Sequence, residues 1–279
     1  MLRLQKRYGA MLLILPGLLF LAVLFVWPVG RLVATSFAGW EDPFAQYERI
    51  LTSTVYLRVL ARTFLLSAEV VGLCLLLGYP LAYVLSRVGP LARVVIILCV
   101  LIPFWTNLLV RSYGWIILLN PQGALNGLLE LVGLGSSPVP LVYNSTGVLI
   151  GMTQIMLPYC VLPLAAVMSR IDPNLESAAR SLGASPLAAF RRIYFPLTLP
   201  GVFAGCLLVF MISLGFFVVP AILGGPGDIL LAQLIEFNIN NTLNWPFAAA
   251  LSTLLLVATL LIYLIGDRFF DLGRLWGAR

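Results

Sequence analysis

The chain has 279 residues, of which 61% are hydrophobic and only 10% are charged, and its formal net charge is +6. Soluble domains contain about 45–50% apolar and about 25% charged residues, so this composition excludes an ordinary soluble protein. The apolar runs are long and continuous, which favours membrane-spanning helices over a β-barrel, because a helix satisfies its own backbone hydrogen bonds in lipid.

The sequence predicts an all-α integral membrane protein with six transmembrane helices in a single domain covering residues 1–279. Each predicted span is near or above the roughly 20 residues that cross a bilayer. The first span is longer than a usual signal-peptide core and no A-x-A-like cleavage site follows it, so we expect it to be retained. The spans are Ala10–Val33, Thr63–Ser86, Val94–Leu119, Gly147–Ser169, Gly201–Leu223 and Phe247–Gly266.

The distribution of basic residues predicts the orientation of these spans. Loops 120–146 and 224–246 contain no Lys or Arg, whereas both termini and the loop 170–200 are rich in them. Basic residues concentrate on the cytoplasmic side of membrane proteins. We therefore expect a multi-pass protein with both termini and residues 170–200 in the cytoplasm. This asymmetry accounts for the net charge, which does not indicate nucleic-acid binding.

Two ionisable residues lie inside predicted spans, where they are costly and therefore indicate function. Glu69 lies seven residues after Arg62 in the second span, roughly 10 Å deep at the helical rise per residue. Arg111 lies eight residues before the outer end of the third span, roughly 12 Å deep. We predict that the two residues pair, either as a structural contact between helices or at the edge of a translocation path.

Three polar side chains, Asn107, Gln154 and Ser213, lie in the third, fourth and fifth predicted spans. Each of them either lines a pathway or forms a hydrogen bond across helices, and the sequence leaves both interpretations open. The candidate residues of a translocation path are therefore Glu69, Asn107, Arg111, Gln154 and Ser213.

The polar segment of residues 170–200, called here the 170–200 loop, is long for a bare connection between two membrane helices. Asp172 followed by proline is typical of a helix start, and Gly183 allows a turn with positive φ. Ser185 followed by proline starts a second helix, which carries Arg191, and Pro196 is predicted to help close the unit. A helix, a turn and a second helix form a compact knob that is suited to a cleft in another protein.

The 170–200 loop resembles the EAA loop of permeases of binding-protein-dependent ABC importers. That motif has a Glu-Ala-Ala triplet, a Gly four residues after the second Ala, nine further residues and then Ile-x-Leu-Pro. The matching positions are Ala178, Ala179, Gly183, Ile193 and Pro196. Ser177 stands in place of the motif's Glu, with Glu176 one residue earlier, and Phe195 replaces the motif's Leu. The resemblance implies that an ATPase subunit contacts Glu176, Ser177, Ala178, Ala179, Gly183, Arg191, Ile193 and Pro196.

Stretches 101–126 and 213–226, together with 15–17 and 244–246, resemble the first permease of polyamine-type (spermidine/putrescine) ABC importers along nearly the whole chain. Phe216 stands where that family often has Glu. The resemblance implies a type I importer transmembrane domain in the bacterial inner membrane. It also implies transport of a small polar solute, which is a polyamine or a related amine-like or opine-like compound.

The same resemblance implies several partners. These are two P-loop ATPase subunits carrying ATP and Mg, a second related permease, an external solute-binding protein and the lipid bilayer. A heterodimer of permeases is expected, with a homodimer as the alternative. The chain has no G-x-x-x-x-G-K-[ST] sequence of its own, so ATP hydrolysis and its cofactors belong to the partner.

Two other classes of function are less consistent with the sequence. A secondary transporter or channel that is not driven by ATP would be expected to contain inverted halves, which the sequence lacks. A membrane-embedded enzyme is disfavoured because the chain has no His, no acidic pair in a span and no Ser–Lys arrangement. The four cysteines lie in apolar segments without paired spacing, so neither a disulfide nor a metal site is predicted.

Overall fold

A computed structural model describes residues 14–37, 42–133 and 139–270 of the chain. Helices joined by short loops make up these ranges, and no β-strand occurs among the described residues. The start of the first predicted span, the basic residues before it, and Arg274 and Arg279 lie outside the described ranges.

The described ranges contain twelve helical segments in chain order. They are α1 (Ile14–Ser36), α2 (Ala45–Thr52), α3 (Thr54–Arg87), α4 (Pro90–Trp105), α5 (Leu108–Leu119), α6 (Ala124–Leu131), α7 (Ser145–Met168), α8 (Asn174–Ser181), α9 (Pro186–Leu214), α10 (Val218–Leu223), α11 (Leu231–Asn240) and α12 (Trp245–Phe270). Of the described helices, α1, α3, α7, α9 and α12 are each long and apolar enough to cross a membrane. The bent pair formed by α4 and the segment Leu108–Leu131 supplies a sixth span if the pair is counted as one. These five or six spans agree with the predicted all-α membrane fold.

The third predicted span, Val94–Leu119, is not one straight helix. It breaks after Trp105 and resumes at Leu108, with a bend of 100° across the break. Asn107 starts the new helix because its side chain accepts a hydrogen bond from the Leu109 backbone N–H at 2.8 Å. Pro103 has no N–H to donate in the last turn of α4, which weakens that turn further.

The fifth predicted span, Gly201–Leu223, is displaced along the sequence. The spanning helix α9 begins at Pro186 and ends at Leu214, and a break at Gly215 separates it from the short helix α10. Pro196 therefore does not close the 170–200 loop, contrary to the prediction. A π-helical turn over Phe190–Tyr194 precedes it, and proline is tolerated at the start of the regular helical segment that follows.

The second span is longer than predicted, because α3 begins at Thr54 rather than at Thr63 and ends at Arg87. Arg62 consequently lies within the helix rather than in the loop before it.

Within the described ranges, residues 58–233 and the residues from Ala258 onward form one compact unit. Helix α7 runs through the middle of this unit and packs against α9. A Cβ atom on Gly205 of α9 would lie 2.9 Å from the Cys160 carbonyl oxygen, so glycine is what allows the two backbones to approach. The buried core consists of Leu66, Val70, Cys74, Val148, Met152, Ile155, Met156, Cys160, Val209, Val219, Leu223 and Leu230.

The described residues up to Leu57 form a second compact unit with residues 234–257. In this unit the Ser36 and Tyr47 hydroxyl groups form a hydrogen bond of 2.6 Å, which ties the end of α1 to α2. The Arg49 guanidinium lies 4.6 Å from the centre of the Phe247 ring. The apolar side chains of α1 are exposed along its length, as expected of a helix that faces lipid or another subunit.

Candidate functional site

The 170–200 loop has the helix, turn and helix that the sequence predicts. The Asp172 carboxylate accepts a hydrogen bond from the Asn174 N–H at 2.9 Å, and α8 begins at Asn174. The turn residue Gly183 has a φ of +91°, which is the predicted left-handed conformation. The Ser185 hydroxyl accepts a hydrogen bond from the Ala188 N–H at 3.2 Å and caps α9.

Helix α8 exposes an apolar face to the outside of the chain. Leu175, Ala178 and Leu182 follow the helical spacing that places residues on one side of a helix. Leu182 is 90% exposed, and Leu187 on the first turn of α9 is 75% exposed. We call Leu175, Ala178, Leu182 and Leu187 the apolar surface. Ala179, in contrast, is buried.

The remaining residues of the EAA-like pattern occupy different environments. Ser177, Arg191 and Pro196 are exposed, whereas Ile193 is half-buried. Ser177, at the position of the motif's Glu, therefore faces outward, and the neighbouring Glu176 faces inward.

Glu176 forms an ion pair with Arg87, the last residue of α3. The distance from Arg87 Nη2 to Glu176 Oε2 is 2.7 Å. The guanidinium also lies 4.9 Å from the ring centre of Tyr83 and 5.1 Å from that of Tyr194. We call these four residues the Arg87 clip. Because it joins the end of α3 to the 170–200 loop, both lie at the same end of the molecule, as the charge pattern predicts.

The Arg87 clip was not among the residues that the sequence singled out. In the sequence, Arg87 stands out only as a basic residue at the end of a span. A basic residue at that place is also expected if it serves only to orient the span in the membrane. The Arg87 and Glu176 side chains are 36% and 19% exposed, and ion pairs in contact with solvent contribute only about 0–1 kcal/mol to stability. The pair therefore contributes little to the free energy of unfolding, and its main effect is to hold the end of α3 next to α8.

Glu69 pairs with a residue of its own helix and not with Arg111. Glu69 Oε2 lies 3.7 Å from Arg62 Nη1. Arg62 Nη2 in turn lies 3.2 Å from Asp228 Oδ1. The buried Asp228 carboxylate also accepts hydrogen bonds from the Ser145 hydroxyl and from the Gly225 N–H. These contacts hold the segment after α10 against α3 and the start of α7, at the end of α3 opposite Arg87.

Arg111 is held at the bend between α4 and α5. Its Nη1 donates a hydrogen bond of 2.6 Å to the Pro103 carbonyl oxygen. Among the described residues no ion pair joins Arg111 to Glu69, so the predicted pairing is wrong. The two residues were expected at equal depth only if the third span were straight, and the 100° bend removes that condition.

The other candidates for a translocation path have separate surroundings. Gln154 Oε1 accepts a hydrogen bond from Trp115 Nε1 at 3.4 Å, and Asn107 caps α5. The Ser213 hydroxyl is buried and has no hydrogen-bond partner within the described ranges. No hydrogen bond or ion pair in the described part of the chain joins two of the five candidates.

Comparison with known proteins connects this geometry to transport. The model of the family "Binding-protein-dependent transport system inner membrane component" matches residues 74–272. The spermidine/putrescine transport system permease protein PotB of Escherichia coli (strain K12) is 36% identical over 261 residues, covering 89% of this chain and 94% of that protein.

Solved structures of similar fold are also importers. A bacterial ABC transporter involved in the import of the acidic polysaccharide alginate has a chain with a TM-score of 0.72 at 19% identity, covering 96% of this chain and 97% of its own. The alginate transporter in complex with an alginate pentasaccharide-bound periplasmic protein gives a TM-score of 0.70 at 19% identity, with 95% of each chain covered. The identity is low, so these structures establish the fold alone. The family match and the PotB relationship show that the chain belongs to the inner membrane components of binding-protein-dependent transport systems and is a permease component of an ABC importer.

Proposed function

We propose that this permease works with P-loop ATPase subunits that dock on the 170–200 loop, and that it imports a small amine, a polyamine or a related compound. The loop lies on the cytoplasmic side in this proposal, as the distribution of basic residues predicts. ATP binding by the partner would then move α8, and the spanning helices would alternate between outward-open and inward-open states.

The observation that carries the ATPase proposal is the apolar surface. Leu182 and Leu187 are 90% and 75% exposed in a loop that also carries exposed arginines. Exposed apolar side chains rimmed by polar ones are typical of protein-binding surfaces. A short helix that presents leucines on one face fits a groove in a partner.

The proposed assembly has one 170–200 loop from each of two permeases, because P-loop ATPases act as dimers with two clefts. The second permease is expected to be a related chain, which gives a heterodimer. The solute-binding protein is expected on the opposite side of the membrane. The solved alginate transporter in complex with a periplasmic protein supports this last partner.

Two observations support an amine as the transported solute. The similar protein of Escherichia coli is named a spermidine/putrescine permease. In addition, Glu69 and Asp228 place two carboxylates around the single guanidinium of Arg62, which leaves this cluster with an excess of negative charge. Acidic clusters of this kind favour cations in a path that crosses a membrane.

Co-purification tests the docking proposal. The permease would be expressed with its candidate ATPase, purified in detergent, and the ATPase recovered per permease measured. Leu182→Asp should lower this recovery, because an acidic group would be buried at the docking surface. Ser181→Asp is the matched control, since it adds the same charge to the adjacent exposed residue, which is not part of the apolar surface. Equal recovery from the wild type and Leu182→Asp would contradict the proposal.

A further inference from the structure

We infer that Arg87 is a positioning residue that transmits the movement of α8 to α3 during transport. This inference rests on the proposed function, because it requires that an ATPase move the 170–200 loop. It adds a route that the EAA-like pattern does not contain, since Arg87 lies outside that pattern.

The chain itself connects α8 only to α7 and α9. Residues 169–173 join α8 to α7, and residues 182–185 join it to α9. Helix α3 has no such connection to α8. The two helices are linked instead through side chains, by the ion pair of Arg87 with Glu176 at 2.7 Å.

A single guanidinium therefore touches side chains of α3, α8 and α9. Tyr83 and Arg87 belong to α3, Glu176 belongs to α8, and Tyr194 belongs to the π-helical turn of α9. The two tyrosine rings contact each other edge to face, with centres 5.3 Å apart. Tyr194 is buried and its hydroxyl forms a hydrogen bond of 3.3 Å with the Ser86 hydroxyl. The rings hold the guanidinium in place, so displacement of Glu176 acts on the end of α3.

Helix α3 connects this end to the charged cluster at the other end. It runs without a break from Arg62 to Arg87, a distance of about 38 Å at the helical rise per residue. Arg62 holds Asp228 at 3.2 Å, and Asp228 anchors the segment after α10. A shift of α3 at Arg87 would thus act on the contacts that hold this segment.

Glu176 and Ser177 have different roles in this proposal. Glu176 faces inward to Arg87, and its second oxygen, Oε1, is buried without a hydrogen-bond partner in the described residues. Loss of the arginine would remove the partner of Oε2 as well, so neither oxygen of that carboxylate would have a partner among the described residues. Ser177 is exposed and contributes nothing to the clip.

The test measures solute uptake and ATP hydrolysis together in proteoliposomes that contain the complete importer, with putrescine and spermidine as the probes. Arg87→Gln should keep the ATPase bound and hydrolysing ATP, while uptake per ATP falls about tenfold, within the range of a typical coupling between sites. Glu176→Gln should lower uptake per ATP in the same direction. The exchange of charges in Arg87→Glu/Glu176→Arg should restore part of the ratio. Arg58→Gln, the same change at an exposed arginine of the same helix, is the matched control and should keep the wild-type ratio.

A structural role alone would lower the amount of assembled complex without changing uptake per ATP, and that result would overturn the inference. So would a wild-type ratio in Arg87→Gln, or loss of the bound ATPase in proportion to the loss of uptake. If Arg87→Gln fails to accumulate, Arg87→Lys replaces it, because it keeps the charge but loses the planar group between the tyrosines. A wild-type ratio in Arg87→Lys would likewise overturn the inference. A wild-type permease that binds no ATPase would instead contradict the proposed function itself.

Discussion

Glu69 lies 3.7 Å from Arg62, seven residues earlier on the same helix, and this contact replaces the expected one with Arg111. Glu69 and Arg111 consequently have their partners in separate places. Glu69 belongs to a cluster that includes the buried Asp228, whereas Arg111 closes the bend at Pro103.

This separation predicts that Glu69 and Arg111 are energetically independent. The double variant Glu69→Gln/Arg111→Gln should lose membrane abundance by the sum of the two single losses, expressed as free energies, within about 0.5 kcal/mol. Quantitative immunoblotting of membranes measures this. If the double variant is more abundant in the membrane than the less abundant of the two single variants, the two residues interact after all.

Arg62 and Asp228 should behave in the opposite way. Asp228 is buried and Arg62 is largely so, and removal of one partner leaves a buried charge, whereas removal of both does not. We expect a coupling free energy of about 1–3 kcal/mol in the cycle of Arg62→Gln and Asp228→Asn. Thermal unfolding of the purified permease provides the measurement. Ser145→Ala is a useful comparison, since it removes a neutral donor to the same carboxylate. Strict additivity of the two charge removals would contradict the expectation.

Gly183 should tolerate asparagine better than valine. Its φ of +91° is strained for side chains other than glycine, but a Cβ at this position would meet no atom within 4 Å beyond its chain neighbours, so the penalty comes from the backbone alone. A β-branched residue there costs about 1–2 kcal/mol, and asparagine costs less. We expect Gly183→Val to lower ATPase recovery or uptake per ATP while membrane insertion stays normal. The values for Gly183→Asn should lie between those of the wild type and those of Gly183→Val.

Gly127→Val is the control for this series, because a Cβ on Gly127 also meets no atom within 4 Å and its φ is not positive. Wild-type uptake in Gly183→Val would show that the turn does not require this conformation.

The parts of the structure that depend on local sequence were predictable, and those that depend on tertiary contacts were not. Gly183 and the cap at Ser185 define the turn and the second helix of the 170–200 loop, because they act on their own backbone. The break at Asn107 was missed because a polar residue in an apolar run also fits a straight helix with a buried side chain.

The ion pairs could not be found by spacing. Arg62 and Asp228 are far apart in the sequence, as are Arg87 and Glu176, and no periodic pattern connects either pair. Asp228 lies in a Gly- and Pro-rich segment that resembles a simple loop. It follows the break at Gly215, which ends α9 before that segment.

The most direct test of the proposed transport function is uptake of labelled putrescine and spermidine by proteoliposomes that contain this permease, its partner permease and the ATPase, with the solute-binding protein outside. We expect uptake that requires both the binding protein and ATP inside the vesicles. We also expect loss of uptake when the P-loop lysine of the ATPase is replaced. Uptake of either amine that continues without ATP, driven by an ion gradient alone, would contradict this function.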